Sequence, residues 1–404
     1  MTIFRISGRR VRDAVGSTLP ATAEPTALDE GELARRFAAG AWTVLPEPGD
    51  GIAGAVRASL GDARSLELLV EGADAAAWAT ALDDAQLTAH VPQALGRWLP
   101  RLSAERILGA FAQGAAHGQA LLVPGDEHWP TGLDDLGPHA PSALWARGDT
   151  AALAACDCSV ALVGARASTG YGELVAGQLA AGLVERGFAV VSGGAYGIDG
   201  TAHRAALASG GTTVAVLAGG LDRFYPAGND ELLRRVAERG CVVAEAPSGT
   251  PPTRWRFLAR NRVIAALAGA TVVVEAGSRS GAINTAGHAA TLGRPLGAVP
   301  GPVTSGTSTG CHRLLREYGA AVIETPAHAA ELVTGPAEEQ SMLDALTSDE
   351  VRVLDALSTR STRGVDDLAM RTGMAPRDVT ASLALLELAG RAVEIATGWR
   401  RADG

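Results

Sequence analysis

Between residues 158 and 334, seven short runs rich in β-branched and small apolar residues recur at helix-sized intervals: SVALVG, FAVVSG, TTVAVLAGG, CVVAEAP, TVVVEAG, PLGAVPG and AAVIE. No other feature constrains the fold as tightly. Each run is apolar at nearly every position rather than at every second one, as expected of a strand covered on both faces. Strands of this kind separated by crossover helices build an open parallel sheet with helices on either side. The expected fold class is therefore α/β, with an extended Rossmann-like, doubly wound, mostly parallel sheet at its centre.

The flanks read differently. Residues 1–26 carry scattered arginines, Pro20 and Pro25 without an apolar period, which predicts a flexible arm. Residues 27–120 are Ala-rich, with helical spacing in ELARRFAAGAW, SLELLVEGADAAAWATAL and AERILGAFAQGAAHG, and predict a small helical (SAM-like) domain. The sheet domain is assigned to 121–334, entered through an irregular, proline-containing connector, LLVPGDEHWPTGLDDLGPHAPSALWARGD. A polar linker at 335–341 leads into 342–404, where DEVRVLDAL, GVDDLAMRTG and PRDVTASLALLELAG predict three short helices. Pro376 stands at a helix start and Gly373 and Gly390 at helix ends; RAVEIATGWRRA then alternates like a hairpin. Three helices and a hairpin describe a winged-helix-like domain, although small helical bundles share the pattern. A length of 404 residues accommodates two or three domains.

Charge and cysteine usage narrow the function classes. A net charge of −9 argues against a uniformly basic surface but leaves room for a local basic groove. Every basic residue is arginine, so each cationic site is a planar fork suited to phosphate or to stacking on a base. No apolar run approaches the ~20 residues of a membrane span, and the first residues lack a signal-peptide core, so the expected location is cytoplasmic with no membrane partner. Cys156, Cys158, Cys241 and Cys311 show neither a CxxC pair nor a histidine at ligand spacing, and read as buried thiols; no metal or cofactor is expected.

In an open parallel sheet the loops leaving the strands bind ligands. The first, GARASTGYG (164–172), combines glycines with Arg166, Ser168 and Thr169 ahead of a helix start that offers free N–H groups to an anion. It has neither the GxGxxG nor the GxxxxGK[ST] spacing. The second, SGGAYGID (192–199), is followed by His203; an Asp199–His203 pair lacks a nucleophile in a strained elbow and reads better as packing. The third, TRWRFLARNRVIAAL (253–267), interleaves Arg254, Arg256, Arg260 and Arg262 with Trp255 and Phe257. Cations beside rings suit a single nucleic-acid strand, and a solvated face over buried rings fits the spacing equally well. The fourth, EAGSRSGAINTAGHAA (275–290), puts Ser278, Arg279, Ser280 and Gly281 at a helix start, with Asn284 and Thr285 one turn on.

Taken in order, GARASTGYG, SGGAYGID, His203, TTVAVLAGGLDRFYP with Asn229, RFLARNRVIAAL, VVVEAGSRSGAINTA and VPGPV resemble the central domain of the DNA-processing protein A (DprA/Smf) family, and VPGDEHWP and PSALWARGD resemble its entry segment. The resemblance implies a non-enzymatic, cytoplasmic homodimer that binds and protects single-stranded DNA and helps load a RecA-type recombinase during DNA uptake and recombination. It implies DNA contacts at Gly164, Arg166, Ser168, Arg254, Phe257, Ser280, Gly281 and Asn284, and within the RFLARNR motif at Arg260, Asn261 and Arg262. Ala165 and Ala227 stand where many members carry serine and lysine. The rival reading is a Rossmann-like nucleotide enzyme of phosphoribohydrolase type, with Glu275 or Asp199 as its acid.

Overall fold

The structure, a computed structural model, describes residues 2–23, 28–335 and 346–402. They divide into two compact units, Met1–Val333 and Thr334–Gly404.

The first unit begins with a two-residue pair, β1 (Thr2–Ile3) and β2 (Ile6–Ser7), and the helices α1 (Gly8–Gly16), α2 (Glu30–Trp42), α3 (Gly51–Leu60), α4 (Asp62–Glu71), α5 (Ala75–Leu82), α6 (Ala85–Trp98) and α7 (Ala104–Ala116). The strands β3 (Ala120–Leu122), β4 (Leu144–Gly148), β5 (Ser159–Gly164), β6 (Ala189–Ser192), β7 (Thr213–Leu217), β8 (Cys241–Ala244), β9 (Ala270–Glu275), β10 (Leu296–Ala298) and β11 (Ala321–Val322) follow. Between them lie α8 (Gly170–Glu185), α9 (Ile198–Ala208), α10 (Asp230–Arg239), α11 (Arg254–Leu267), α12 (Gly281–Thr291) and α13 (Thr309–Glu317), with α14 (Pro326–Thr334) last. The nine strands form one sheet in the order β11-β10-β9-β5-β6-β7-β8-β4-β3.

The seven apolar runs are β5 to β11, and every neighbouring pair among them is parallel. Their continuous apolarity has a direct cause. Along β5, Val160 and Leu162 enter a core with α8 and α9, while Ala161 and Val163 enter another with α11 and α12, so both side-chain rows are buried. The proline-containing connector is less irregular than its sequence suggests: it holds β4, antiparallel to β8, and adjoins β3, antiparallel to β4. Strands of three and five residues at a sheet edge are too short to show a period.

Residues 8–16, expected in a flexible arm, instead form α1. Ser7 caps it, and Val11 and Val15, four apart, bury one stripe against the core that contains Phe37. Two turns carry too few apolar positions for the pattern to stand out. The same core continues from Trp42 and Phe111 through Trp145 to Ala215, Leu217 and Val242, so the helical region and one face of the sheet share it. Trp145 Nε1 donates to Thr43 Oγ1 at 3.1 Å across that junction. Cys156, Cys241 and Cys311 are buried as expected; Cys158 is exposed, at the end of a 3₁₀ turn leading into β5. Burial pushes the Cys156 thiol up to about 12 and Cys311 to about 11.

In the second unit, α15 (Ser348–Ala356), α16 (Val365–Thr372) and α17 (Pro376–Leu388) precede the antiparallel hairpin β12 (Ala392–Ile395) and β13 (Gly398–Arg401). Thr347 and Glu350 form a capping box, Pro376 occupies the first turn of α17, and Gly373 ends α16 at φ +67°. Val353, Leu368, Val379, Leu383, Leu386 and Trp399 make its core, a winged helix. Of the expected 335–341 linker, residues 336–341 lie outside the described residues. Among the described residues no helix is long and apolar enough to cross a membrane.

Candidate functional site

The strand order reverses between β5 and β9, and in a doubly wound sheet the loops diverging from such a point leave a crevice. Here the loops after β5, β6 and β9 meet the start of α11 around a cleft of about 850 Å³.

The loop after β5 is held from below. Thr169 donates from its backbone N and its Oγ1 to Glu275, both at 2.9 Å, and its Oγ1 caps α8 by accepting from Gly172 N. Glu275 is buried, and a Cβ on Gly172 would lie 2.3 Å from its Oε2. The carboxylate is thus a buttress for the loop and is absent from the cleft lining. The loop after β6 presses on the first: Ile198 N donates to Ala165 O at 3.3 Å, and Gly197, at φ +74°, leaves room for the carbonyls of Ala165 and Arg166. Asn229 secures that second loop by donating to Gly194 O and Ala195 O at 3.0 and 2.9 Å.

Thr253 caps α11, whose first turns project outward while residues 260–267 are buried on all sides. Arg254 is exposed and Phe257 half-buried. The Arg166 guanidinium lies over the Phe257 ring at 4.4 Å, and the Tyr225 ring sits 5.9 Å away, tilted by 56°. Arg260 is buried and donates to Gly193 O at 2.7 Å and to Val216 O. Burial lowers it to about 10, against the pull of Asp199, so it stays cationic at neutral pH. Asp199 is buried too, and desolvation raises its pKa in spite of Arg260 and the backbone N–H groups around it. Opposite, Ser280 caps α12 by accepting from Ala282 N at 3.3 Å, and Arg279 is exposed beside it.

The cleft therefore brings together Gly164, Arg166, Arg254, Phe257, Arg260, Asn261, Ser280 and Gly281 from the expected set. Three of those expectations change in character. Arg260 donates from Nη1 to two backbone carbonyls and from Nε to Asn261 Oδ1 at 3.3 Å. Asn261 ties α11 to α12, donating to Gly281 O at 3.3 Å and Asn284 Oδ1 at 3.2 Å. Phe257 carries Arg166 on its ring. Ser168 and Asn284 lie outside the lining: Ser168 Oγ donates to Glu173 at 2.8 Å, and Asn284 accepts from Asn261. Arg262 is turned away, buried with Glu245 at 2.7 Å, because its position on α11 faces the loop at Gly49. Tyr225 escaped the sequence reading; its signal was an aromatic beside proline in a loop leaving a strand.

The result is an electropositive hollow. Arg166, Arg254 and Arg279 line it without a carboxylate partner among the described residues, and the sole carboxylate in the lining is the buried Asp199. His203 plays no part there. It is fully buried, and since Thr213 Oγ1 donates to Val190 O at 2.8 Å, His203 Nδ1 donates to Thr213 Oγ1 at 2.7 Å, leaving Nε2 unprotonated and without a partner among the described residues. Burial, with Arg260 and Arg204 nearby, lowers it to about 3. The folded-state value lies below the unfolded one of about 6.5, so this residue's contribution is complete well above pH 6.5 and is lost with a slope approaching about 1.4 kcal/mol per pH unit below it. Chemical denaturation from pH 7 to 5 should show that loss, and His203→Gln should flatten it; an unchanged slope would place the acid sensitivity elsewhere.

Comparison with known proteins gives the following. The profile described as "DNA recombination-mediator protein A" matches residues 120–334, and that of the DprA winged helix domain matches 336–396. A Mycobacterium tuberculosis protein carrying the DprA name is 48% identical over 292 residues, 68% of this chain and 75% of that one. Protein Smf of Escherichia coli is 37% identical over 234 residues, 57% of this chain and 60% of that one. Among solved structures, DNA processing protein A from Streptococcus pneumoniae superposes with a TM-score of 0.58 at 27% identity, covering 74% of this chain and 96% of the other.

Proposed function

Since the chain belongs to the DNA recombination-mediator protein A family of DNA-processing proteins, we propose that it binds single-stranded DNA in the β5/β9 cleft without altering it chemically. The observation that carries the proposal is the set of three guanidiniums without a carboxylate partner among the described residues, Arg166, Arg254 and Arg279, around a cleft with one sequestered carboxylate. They hold phosphates, together with the N-terminus of α12 behind Ser280. Phe257 and Tyr225 supply ring surface; for a base to stack on Phe257 the Arg166 guanidinium swings from the ring to a phosphate, exchanging a cation–π contact for an ion pair.

The nucleotide-enzyme reading has less to stand on. Glu275 is occupied with Thr169 and stays out of the cleft, and Asp199 is enclosed by backbone N–H groups and Arg260. We also propose that the protein acts as a homodimer that delivers its strand to a RecA-type recombinase; the family's description as a recombination mediator supports that step. The winged helix serves better as a protein-contact or packing element than as a duplex reader, because Arg377 is the one basic residue on α17.

Titration of fluorescent oligo(dT) and of a duplex of equal length tests the binding proposal, with parallel incubation of nucleoside monophosphates. Preference for the single strand and intact nucleotides are expected; release of free base would overturn the non-enzymatic reading.

A further inference from the structure

Tryptophan is costly to leave in water, and this chain buries six of its seven: Trp42, Trp78, Trp98, Trp129, Trp145 and Trp399 are each under 9% exposed. Trp255 is 61% exposed. It stands in the first turn of α11 between Arg254, which lines the β5/β9 cleft, and Arg256, which lines a second depression of about 620 Å³. That groove runs between α7 and the loop joining β8 to α11. Its Arg101 and Arg256 share Glu47, at 2.6 and 2.9 Å, whereas the Arg106 guanidinium has no hydrogen-bond or ion-pair partner among the described residues. Against the three arginines stand Glu47, the exposed Glu105 and Asp222, which accepts from Gly249 N at 2.8 Å, so charges of both signs adjoin the groove and Arg106 is its cation without a carboxylate partner among the described residues. Lining residues of groove and cleft alternate along Pro251–Arg256, and the exposed Trp255, in the lining of neither, stands between Arg254 and Arg256.

We propose that the DNA strand does not end in the cleft but crosses Trp255, stacking a base on the indole, and continues into the groove, where Arg106 holds a phosphate. The helical region then forms part of the nucleic-acid interface. This rests on the single-strand reading above. An exposed ring between two arginine-lined hollows is what a sequence-tolerant track needs, because every base has a face to stack and each phosphate a cation to meet.

The seven-tryptophan pattern makes the test direct. Oligo(dT) of about 20 nucleotides should quench tryptophan emission on binding, and Trp255→Phe should abolish the quench. Trp255→Ala should weaken that oligonucleotide about tenfold and Arg106→Ala about fivefold, while a hexanucleotide, short enough for the cleft, should bind both variants within about twofold of wild type. Because both side chains are exposed, circular dichroism and melting should match wild type. If the long oligonucleotide binds with unchanged emission and both variants keep wild-type affinity, the strand does not take this path and the cleft reading survives. If no oligonucleotide binds the wild type, the cleft reading falls and this extension with it.

Discussion

Replacing Arg166 and Arg254 together with alanine is expected to weaken single-strand binding by at least about a hundredfold at moderate salt. Each guanidinium lost removes a charge-assisted hydrogen bond to phosphate worth roughly 1.5–3 kcal/mol, and two removals exceed the ~1.4 kcal/mol per factor of ten twice over. The fold should not notice. Both side chains are exposed and neither has an ion-pair partner among the described residues, so the variant should melt within about a degree or two of wild type, as surface substitutions do. Arg166→Ala alone also frees the Phe257 ring, so it should cost less than Arg254→Ala if stacking compensates. Fluorescence anisotropy of the double variant beside its melting curve decides the matter. Near-wild-type affinity in a folded protein would remove these two arginines from the interface.

Gly197→Ala is expected to damage both stability and binding, and Gly210→Ala only the former, slightly. Both glycines sit at φ +74°, where an L-residue is strained, but Gly197, with ψ −127°, lies outside the left-handed helical well in a region open essentially to glycine, so its substitution costs at least the ~1–2 kcal/mol of that well. They differ in surroundings. A Cβ at Gly210 meets nothing within 4 Å, whereas one at Gly197 would lie 2.3 Å from Ala165 O and 2.7 Å from Arg166 O. Those atoms are backbone and cannot rotate aside, so the β5 loop must move and overpacking adds roughly 1–3 kcal/mol. The displaced loop carries Arg166. The expected outcome is a Gly197→Ala protein destabilised by about 2–5 kcal/mol with binding reduced more than tenfold, and a Gly210→Ala protein that binds like wild type. Equal effects at the two positions would mean that the contact between the loops does not shape the cleft.

These two experiments separate what the sequence could reveal from what it could not. The parallel strands were legible because β5 and β9 bury both rows of side chains, and a run such as TVVV leaves little else to be. The loops followed, since ligand-binding loops leave the ends of such strands. Side-chain direction on α11 was not legible. Spacing reports rotation around a helix only when one face is polar, and residues 260–267 of α11 are buried throughout, so nothing in RNRVIAAL distinguishes Arg260, which reaches the cleft wall, from Arg262, which reaches Glu245. Glu275 misled for the opposite reason: a carboxylate at a strand end resembles a catalytic acid until Thr169 is seen to occupy both its oxygens. Tyr225 and the short helix α1 were missed because each depends on one or two residues whose partners are distant in sequence.

If arginines at the β5/β9 switch point, without a carboxylate partner among the described residues, hold the phosphates of a single strand, the affinity of the wild-type protein for oligo(dT) falls as salt rises. Three guanidiniums each displacing counterions from a hexanucleotide predict a slope of log K against log salt of about −2, and a fourth contact at Arg106 steepens it to about −3 for a 20-mer, using roughly −0.7 per contact; a duplex of equal length should bind far more weakly across the range. A slope near zero, or a duplex bound as tightly as the single strand, would contradict that role for the arginines.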